Sequence, residues 1–404
     1  MEKKAKLLKV DAAVKIIYRS IKPIKLRDKI GIEKSAGRIL ANTIISKRDQ
    51  PSQSLSSMDG YAVRKIDLKD LPKNFKIIEE IKAGNSPKLT LGKNQASRIF
   101  TGAPIPKGSS KVIIQENCTQ KDSKVLIRKN NTEDYIRKKG SDFDSSFKLE
   151  APKIISNRDI ALIGAMNHKE INVYKKPKIA VLANGDELDE IGVKYSKNRQ
   201  PASSKPAIIS LIRNYGGEAI DLGIAKDKIN NIKNKIKQGM KCDLMVTIGG
   251  ASVGKHDLIR QSLKDLGFTL NFWKIAMQPG KPLMFGNSKK FYILGLPGNP
   301  VSALVCTQIF LKKAIYALQG YNFNETLYSY RTSQEIKKSE KRRQYLRGII
   351  VKPKKDGKIY VKPFKDQDSA SLSTYSKSDV LIIREPNSPK VVKGSKIKAI
   401  LTDN

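Results

Sequence analysis

The chain has 404 residues, of which 39% are hydrophobic and 29% are charged. That length holds roughly two to four domains, and the composition excludes an intrinsically disordered chain. Lysine and arginine together number 78 against 38 aspartates and glutamates, which gives a formal net charge of +40. The basic residues are spread along the whole chain without an arginine-rich arm or a basic tail. We therefore interpret the charge as a compositional bias and expect no nucleic-acid partner.

The cysteines and histidines exclude two classes of metal site. Cys118, Cys242 and Cys306 lie far apart, are odd in number and lack CxxC spacing, so neither a disulfide framework nor a thiolate zinc site is indicated. His168 and His256 are the only histidines, which excludes a histidine-rich site. Any metal would need oxygen ligands, which favours magnesium or a similar hard cation. Free cysteines and the absence of an evident secretory signal predict a cytoplasmic protein.

The N-terminal half predicts helices on either side of a β-rich module. A short helix is expected over residues 33–40, and short β-rich runs punctuated by Gly, Pro and Asn fill residues 74–128. A first helix is expected over residues 10–21, where five apolar side chains share one face: Val10, Ala13, Val14, Ile17 and Ile21.

A different pattern begins near residue 178, where continuous apolar strands alternate with helices. The predicted strands are 178–185, 218–224, 243–250 and 291–296, and the predicted helices are 205–214, 226–238, 258–266 and 301–318. This alternation is typical of a doubly wound parallel α/β sheet. The uncharged stretch 291–311 is long enough to cross a bilayer, but the Pro-Gly-Asn-Pro at 297–300 interrupts it. We interpret it as a buried strand, a turn and a helix, and expect no membrane partner.

Beyond residue 325 the pattern returns to short strands, which predicts a small C-terminal β-barrel or sandwich. The predicted fold class is therefore multidomain, α/β plus β. The expected domains are a discontinuous helical domain (1–50 and 140–176), an inserted β module (51–139), the α/β domain (177–325) and the C-terminal β domain (326–404).

Three loops at the carboxyl ends of α/β strands have the composition of a ligand site. The loops at 248–254 and 296–302 are glycine-rich strand-to-helix turns, and the first strand ends in the acidic loop 184–187. Glycine turns expose backbone N–H groups to anions, and a following helix N-terminus adds a favourable dipole. Neither standard nucleotide fingerprint is present, and each turn taken alone is equally explained as a tight turn that serves packing. Together the three loops predict a phosphorylated ligand with a metal ion between them.

Seven motifs that span most of the chain resemble the molybdopterin molybdenumtransferases, a family that includes the C-terminal domain of gephyrin. They occur in the family's order: SSMDGYAV (56–63), RIFTGAPIPKG (98–108), RKKGSDF (137–143), NGDEL (184–188), TIGGASVGKHD (247–257), MQPGKPLMFG (277–286) and GLPGNPVSA (295–303).

The resemblance implies an elongated homodimer of four-subdomain protomers, with the active site at the subunit cleft. The implied reaction inserts molybdate into adenylylated molybdopterin, hydrolyses the adenylate in the presence of Mg²⁺ or another divalent cation, and releases AMP and molybdenum cofactor. The implied partners are a molybdopterin adenylyltransferase and molybdoenzyme chaperones or apo-enzymes.

By match to the family's motifs, six residues are candidates for catalysis. Glu187 and Asp257 are the expected metal ligands. Helix capping is the alternative for Asp227 and Asp257, and taken alone it explains Asp227 better. Turn formation is the alternative for Asp59 and Asp142, although function is favoured for Asp59 because it lies inside an intact MDGY motif. The full set is Glu187, Asp227 and Asp257 on the α/β side, and Asp59, Thr101 and Asp142 from the partner subunit.

Twelve further residues are candidates for substrate binding. The glycine turns supply Gly249, Gly250, Ser252, Gly254, Pro297, Gly298, Asn299 and Pro300; cations and a hydroxyl at family positions supply Lys274, Lys281, Arg347 and Ser369.

Four positions depart from the family's pattern. Gln278 stands where a Lys or Arg is common, and Asp368 replaces a Gly beside Ser369. Asn184 replaces a frequent Thr, and Ser204 occupies a position where Asn is usual. The first two alter the charge expected around an oxyanion.

Two alternative functions remain open from the sequence. A molybdopterin adenylyltransferase resembles the α/β domain alone, although the MDGY and TGAPIP motifs argue against it. A non-catalytic scaffold of cofactor assembly is the other, and the absence of a long linker disfavours it.

Overall fold

The computed structural model describes residues 7–194, 196–250, 258–289, 291–351 and 357–403, which form two compact units. The first unit contains the chain up to Asp28, Gly37–Ile39 and everything from Val173 onward. The second unit contains Lys29–Ala36 and Leu40–Asn172.

A six-stranded sheet forms the core of the second unit. Its strands lie in the order Lys111–Ile114, Gly60–Val63, Gln95–Ile99, Lys73–Ile81, Lys124–Ile127 and Cys118–Lys121. One face buries Tyr61, Phe75 and Ile113, and the other buries Ile81, Ile99 and Val112. Both faces bury apolar side chains because successive residues of a strand point to opposite faces of the sheet, and the predicted β module is confirmed.

Among the described residues, one helix, several short strands and three 3-10 turns make up the rest of the second unit and the chain segments that connect it to the first. The helix Asn157–Ala165 begins with a capping box, in which Ser156 and Asp159 each bond the other's backbone N–H. The short strands are Arg27–Gly31, Ile39–Leu40, Ile44–Ile45, Leu55–Ser56, Ile136–Arg137, Lys148–Leu149, Lys153–Ile154 and Glu170–Tyr174, and the 3-10 turns are Ile32–Lys34, Lys65–Leu68 and Gln115–Asn117.

The prediction of a helix over residues 33–40 is wrong. A 3-10 turn at Ile32–Lys34 is followed by Gly37 at φ +73° and then by the strand Ile39–Leu40. A glycine in the left-handed region ends helical geometry, so the apolar residues beyond it extend into a strand.

The α/β domain of the first unit has a six-stranded sheet. In spatial order the strands are Glu218–Ala225, Lys178–Asn184, Leu244–Ile248, Phe291–Leu296, Met284–Ser288 and Thr269–Phe272. The first four run parallel. Met284–Ser288 pairs antiparallel with Phe291–Leu296, and Thr269–Phe272 pairs antiparallel with Met284–Ser288 at the edge. The helices are Ser204–Asn214, Ile229–Gly239, Leu258–Asp265 and Pro300–Leu318, the last with a π-helical segment at Thr307–Leu311.

The uncharged stretch is a buried strand, a turn and a helix, as predicted. All residues of Phe291–Leu296 are buried, and the helix Pro300–Leu318, although long and apolar enough to cross a membrane, is wholly enclosed by the protein. It is a core helix of the α/β domain.

The first helix, Val10–Ser20, belongs to the first unit. Its apolar face buries Val10, Ala13 and Ile17 in the same core as Ile309 and Leu381. We expected residues 1–50 to form one domain with residues 140–176. The first helix instead packs with the α/β domain, because its apolar face is buried there.

The C-terminal domain is a closed five-stranded barrel. Its strands are Tyr328–Thr332, Arg343–Val351, Tyr360–Pro363, Val380–Arg384 and Lys396–Leu401, and pairing of Arg343–Val351 with Val380–Arg384 closes the ring. A short helix, Leu372–Tyr375, lies in the connection before Val380–Arg384. The predicted multidomain α/β plus β fold class is therefore confirmed, with a barrel as its C-terminal part.

Candidate active site

The three predicted loops begin at one level of the parallel sheet. Ala183 pairs with Ile248, and Ile248 pairs with Leu296 on the next strand. The acidic loop and both glycine turns therefore leave adjacent strands side by side, at the edge where α/β proteins bind ligands.

The first glycine turn approaches the neighbouring strand end more closely than a side chain would allow. Gly249 has φ +86°, and a Cβ there would lie 2.6 Å from the carbonyl oxygen of Asn184. A Cβ on Gly298 would lie 3.6 Å from the Cα of Gly249. Glycine at 249 is thus required both by its backbone conformation and by the neighbouring strand end.

Substituting Gly249 with alanine should separate these two requirements. We expect Gly267→Ala, at φ +76° with no described atom within 4 Å of the new Cβ, to lower the free energy of unfolding by about 1 kcal/mol through backbone strain. Gly249→Ala should cost roughly 2 kcal/mol more, because its Cβ also meets a backbone oxygen. Urea unfolding of both variants measures the difference, and equal losses would contradict the proposed close approach.

The loops enclose a cleft of about 660 Å³, hereafter the turn cleft. That volume suits a small-molecule ligand. Its lining comes from the sheet edge, the segment after Met277 and the barrel: Glu187, Gly249, Gly250, Gln278, Pro279, Gly280, Lys281, Pro282, Pro297, Gly298, Asn299, Ser302, Arg342, Gln367, Asp368 and Ser369.

A second cleft of about 380 Å³ adjoins the turn cleft. The two share Glu187, Gly249, Gly298 and Asn299. The second is additionally lined by Pro300, Ser203 and Ser204, among others. A ligand longer than either cleft can therefore extend across the glycine turns.

Glu187 is the carboxylate common to both clefts. It is exposed, and among the described residues no cation or hydrogen-bond donor contacts its side chain. Gly185 leaves space for this position, since a Cβ there would overlap a Glu187 carboxylate oxygen. The carboxylate is thus available to a ligand or a cation.

Asp227 is held differently. Its Oδ1 accepts a hydrogen bond from Nδ2 of Asn184 at 2.8 Å, and its Oδ2 accepts one from the backbone N–H of Asp186 at 3.3 Å. Asp186 in turn accepts a bond from the Asp227 N–H at 3.1 Å. Asp227 does not cap the helix Ile229–Gly239, whose N-cap is Lys228. Asp227 therefore fixes the acidic loop through the N–H of Asp186. Asn184, which departs from the family's usual Thr, holds Asp227 in place.

The polar groups opposite Glu187 come from a loop of the barrel. Ser369 Oγ accepts a hydrogen bond from Asn299 Nδ2 at 2.7 Å, and its carbonyl oxygen accepts one from the N–H of Val301 at 3.1 Å. These bonds join the barrel loop to the start of the helix Pro300–Leu318. The Asp368 carboxylate, another departure, accepts the N–H of Ala370 at 2.7 Å and so serves its own turn.

Known protein families match nearly the whole chain. Residues 8–166 match the family model for the MoeA N-terminal region (domain I and II), residues 180–317 the probable molybdopterin binding domain, and residues 330–402 the MoeA C-terminal region (domain IV). The chain is 32% identical to the molybdopterin molybdenumtransferase of Haemophilus influenzae over 376 residues, which cover 91% of this chain and 92% of that protein. The chain belongs to the molybdopterin molybdenumtransferase family.

A further relative agrees with this assignment, and two solved structures share the fold. The molybdopterin molybdenumtransferase of a Nostoc species is 32% identical over 78% of this chain and 75% of its own length. Two structures of molybdopterin biosynthesis moeA proteins from Pyrococcus horikoshii superpose with TM-scores of 0.80 and 0.84. They are 26% and 24% identical and cover 99% and 98% of this chain and 100% of each of theirs.

The two lysines predicted for this molybdenumtransferase-family site have different surroundings. Lys281 is exposed and lines the turn cleft, and its side chain has no ion pair among the described residues. Lys274 instead lies with its Nζ 3.8 Å from the ring centroid of Trp273, outside both clefts. The turn at Pro279 and Gly280 separates them, so their closeness in sequence does not place both in the cleft.

Arg347 lies behind the cleft wall. It is 1% exposed, and its Nη2 donates to the carbonyl oxygen of Asp368 at 2.9 Å. Burial lowers the pKa of the guanidinium, and the carboxylates of Asp366 and Asp368 oppose that shift. Gln367 accepts the Arg347 N–H at 2.9 Å and returns a bond to its carbonyl oxygen at 3.0 Å. Arg347 therefore positions the loop that carries Ser369.

In the second unit, Asp59 and Thr101 come together as a pair. One carboxylate oxygen of Asp59 accepts bonds from the backbone N–H of Thr101 at 2.7 Å and from its hydroxyl at 2.8 Å. The backbone bond and then the hydroxyl bond lower the pKa of Asp59, and the charge of Arg98 adds to this. Asp59 therefore bonds a residue far along the chain and not its own turn, and its second oxygen accepts no bond from a described residue.

Of the remaining predicted residues, Asp142 is the one that the structure describes. Asp142 is exposed, and its backbone N–H donates to Gln50 at 3.0 Å, while none of the hydrogen bonds among described residues joins its side chain to Asp59 or Thr101. Ser252, Gly254 and Asp257 lie outside the described residues. Across the described ranges, no group of three His, Cys, Asp or Glu side chains forms a ready-made metal site.

Sequence reasoning missed Arg342 as a residue of the cleft. It is half-buried and lines the turn cleft, and its Nη2 donates to Oε1 of Gln278 at 3.3 Å. The neutral Gln278 could have indicated such a residue. Because Lys or Arg is common at that position in the family, a cation from another part of the chain could be expected to replace it.

Proposed function

We propose that this chain inserts molybdenum from molybdate into adenylylated molybdopterin, with hydrolysis of the adenylate to AMP and release of molybdenum cofactor. Membership in the molybdopterin molybdenumtransferase family gives the reaction class. The turn cleft is the observation that supports a particular site. There, a carboxylate that pairs with no described cation, two cations and two glycine turns face one space.

The glycine turns suit the diphosphate of the substrate. Gly249 and Gly298 line the cleft without side chains, which leaves their backbone open to anionic oxygens, and the helix that begins at Pro300 directs its N-terminal dipole toward the same place. The adjoining cleft provides room for the rest of a long ligand. Because phosphoryl chemistry depends on positioning and charge neutralisation more than on covalent catalysis, these features match its needs.

Glu187 fits the role of a ligand to Mg²⁺ or another divalent cation. It is an oxygen ligand without a competing ion pair among the described residues, and Mg²⁺ in such sites takes one or two carboxylates together with substrate phosphates. We assign Asp257 as the second carboxylate from its motif position. When bound, the cation would neutralise charge on the anhydride oxygens.

The hydrolytic step requires a water molecule to attack phosphorus. The P–O bond of the anhydride breaks, the leaving phosphate carries the electron pair, and the proton of water passes to a carboxylate. Asp59, whose ionised form the bonds from Thr101 stabilise by lowering its pKa, and Asp142 are the candidates that would orient this water. We assign them to the partner subunit of a homodimer, following the family resemblance.

The proposed setting follows from the substrates. A molybdopterin adenylyltransferase would supply the adenylylated substrate, and chaperones or apo-forms of molybdoenzymes would receive the product. We place these steps in the cytoplasm, where free Cys118, Cys242 and Cys306 remain reduced. Neither a membrane nor nucleic acid is required.

The direction of AMP transfer tests the proposal. Purified protein with adenylylated molybdopterin, Mg²⁺ and molybdate should release AMP and yield a product that activates an apo-molybdoenzyme. Incorporation of AMP from ATP into molybdopterin would instead identify an adenylyltransferase. If the protein catalyses neither reaction, the result would favour a non-catalytic scaffold of cofactor assembly.

A further inference from the structure

Two adjacent arginines at the start of a barrel strand have opposite environments. Arg343 forms bonds of 2.7 and 2.8 Å to the two carboxylate oxygens of Asp11 and a bond of 2.9 Å to Glu385. Its charge is therefore neutralised within the protein. No carboxylate among the described residues forms an ion pair with Arg342, and its guanidinium lines the turn cleft.

Strand pairing fixes Arg342 beside Gln278. The segment Met277–Gln278 runs parallel to the barrel strand, with Met277 opposite Arg343. The N–H of Arg343 also donates to the carbonyl oxygen of Ala276 at 2.9 Å. Gln278 Oε1 then accepts a bond from Arg342 Nη2 at 3.3 Å without cancelling its charge.

Arg342 is one of only a few charged residues among the described lining of the turn cleft. Among the described lining residues, the charged groups are Glu187, Asp368, Lys281 and Arg342. Arg342 and Lys281 are thus the two cations there. A planar guanidinium can offer two parallel donors to an oxyanion, which a lysine cannot.

We infer that Arg342, oriented by Gln278, binds the oxyanion substrate in the turn cleft and sets the affinity for molybdate. The inference rests on the proposed function, since it names a residue that recognises one of the proposed substrates. It explains how the cleft keeps a second cation although position 278 is neutral. Gln278 is a positioning residue in this arrangement, and Arg342 is the contact.

Steady-state molybdate titrations of AMP release test the inference. Arg342→Gln should raise the KM for molybdate about tenfold, the effect of losing one charge-assisted hydrogen bond, while kcat changes little. Arg342→Lys should fall between it and the wild type. Lys341→Gln removes the same charge one residue away, at an exposed side chain outside the clefts, and should leave KM unchanged.

A compensating variant makes the test specific. Gln278→Lys combined with Arg342→Gln returns a cation to the same part of the cleft, so it should recover most of the lost affinity. Equal melting temperatures of the variants exclude a folding defect. An unchanged KM in Arg342→Gln, or no recovery in the double variant, would overturn the inference.

Equilibrium dialysis with molybdate alone separates this inference from the proposed function. If the wild type releases no AMP, the proposed function fails, and dialysis still reports on Arg342. Binding of molybdate by the wild type that weakens about tenfold in Arg342→Gln supports the inference. Absence of binding, or equal binding by both proteins, overturns it.

Discussion

Glu187→Gln should lower the rate of AMP release by roughly 10²- to 10⁴-fold, the range expected for loss of a group that acts on the reacting centre. Glutamine keeps the shape of the side chain and removes the negative charge that we assign to cation binding. Folding should be unaffected, because the carboxylate is exposed and forms no ion pair with a described residue. Single-turnover AMP release and a melting curve measure the two effects.

Glu218→Gln is the matched control for this substitution. Glu218 is exposed and pairs with Lys178 at the start of the parallel strands, the opposite end of the sheet from Glu187. It should retain full activity. If Glu187→Gln were as active as this control, Glu187 would have no part in the mechanism.

Asp59→Asn is expected to reduce AMP release by about 10²-fold through loss of an ionised carboxylate that orients water. Asp122→Asn, an exposed position in the same unit whose φ of +51° asparagine tolerates, should leave the rate unchanged. Rates of AMP release at saturating substrate distinguish the two variants. Equal rates would remove Asp59 from the mechanism.

The pair formed by Asp59 and Thr101 should also set the pH dependence of the rate of AMP release. An aspartate with a lowered pKa stays ionised until the pH falls through that lowered value, so activity that needs the carboxylate is lost only in strong acid. Thr101→Val removes the hydroxyl donor, raises the pKa of Asp59 toward its usual range and should shift the acid limb of the rate to higher pH. An unshifted acid limb would show that another group controls it.

Mixed dimers test whether the two carboxylates act in one shared site. A heterodimer with Asp59→Asn in one subunit and Glu187→Gln in the other keeps one intact site if the site uses both subunits. It should then recover about half of the wild-type activity. Activity no higher than in either parent would place both residues in the same protomer's site.

Strand ends and glycine turns could be predicted because they depend on local sequence. Continuous apolar runs such as residues 291–296 signal buried parallel strands, and the Gly-rich turns that follow mark the ligand edge of the sheet. Gly249 illustrates this, since its positive φ and its contact with a strand end are features that no other residue allows.

Side-chain partners could not be predicted in the same way. Lys274 and Lys281 lie in one motif, yet one stacks on Trp273 and the other lines the cleft. Arg342 comes to the cleft only because a barrel strand pairs with Met277–Gln278, far earlier in the chain. Such pairings depend on long-range packing, which a single sequence does not encode in a readable pattern.

A crystal structure of the protein with AMP, Mg²⁺ and molybdate tests the central claim most directly. We expect the AMP phosphate at the turns of Gly249 and Gly298, a cation at Glu187, and molybdate beside Arg342 and Lys281. Nucleotide and oxyanion bound elsewhere, with the turn cleft empty at saturating concentrations, would contradict the account.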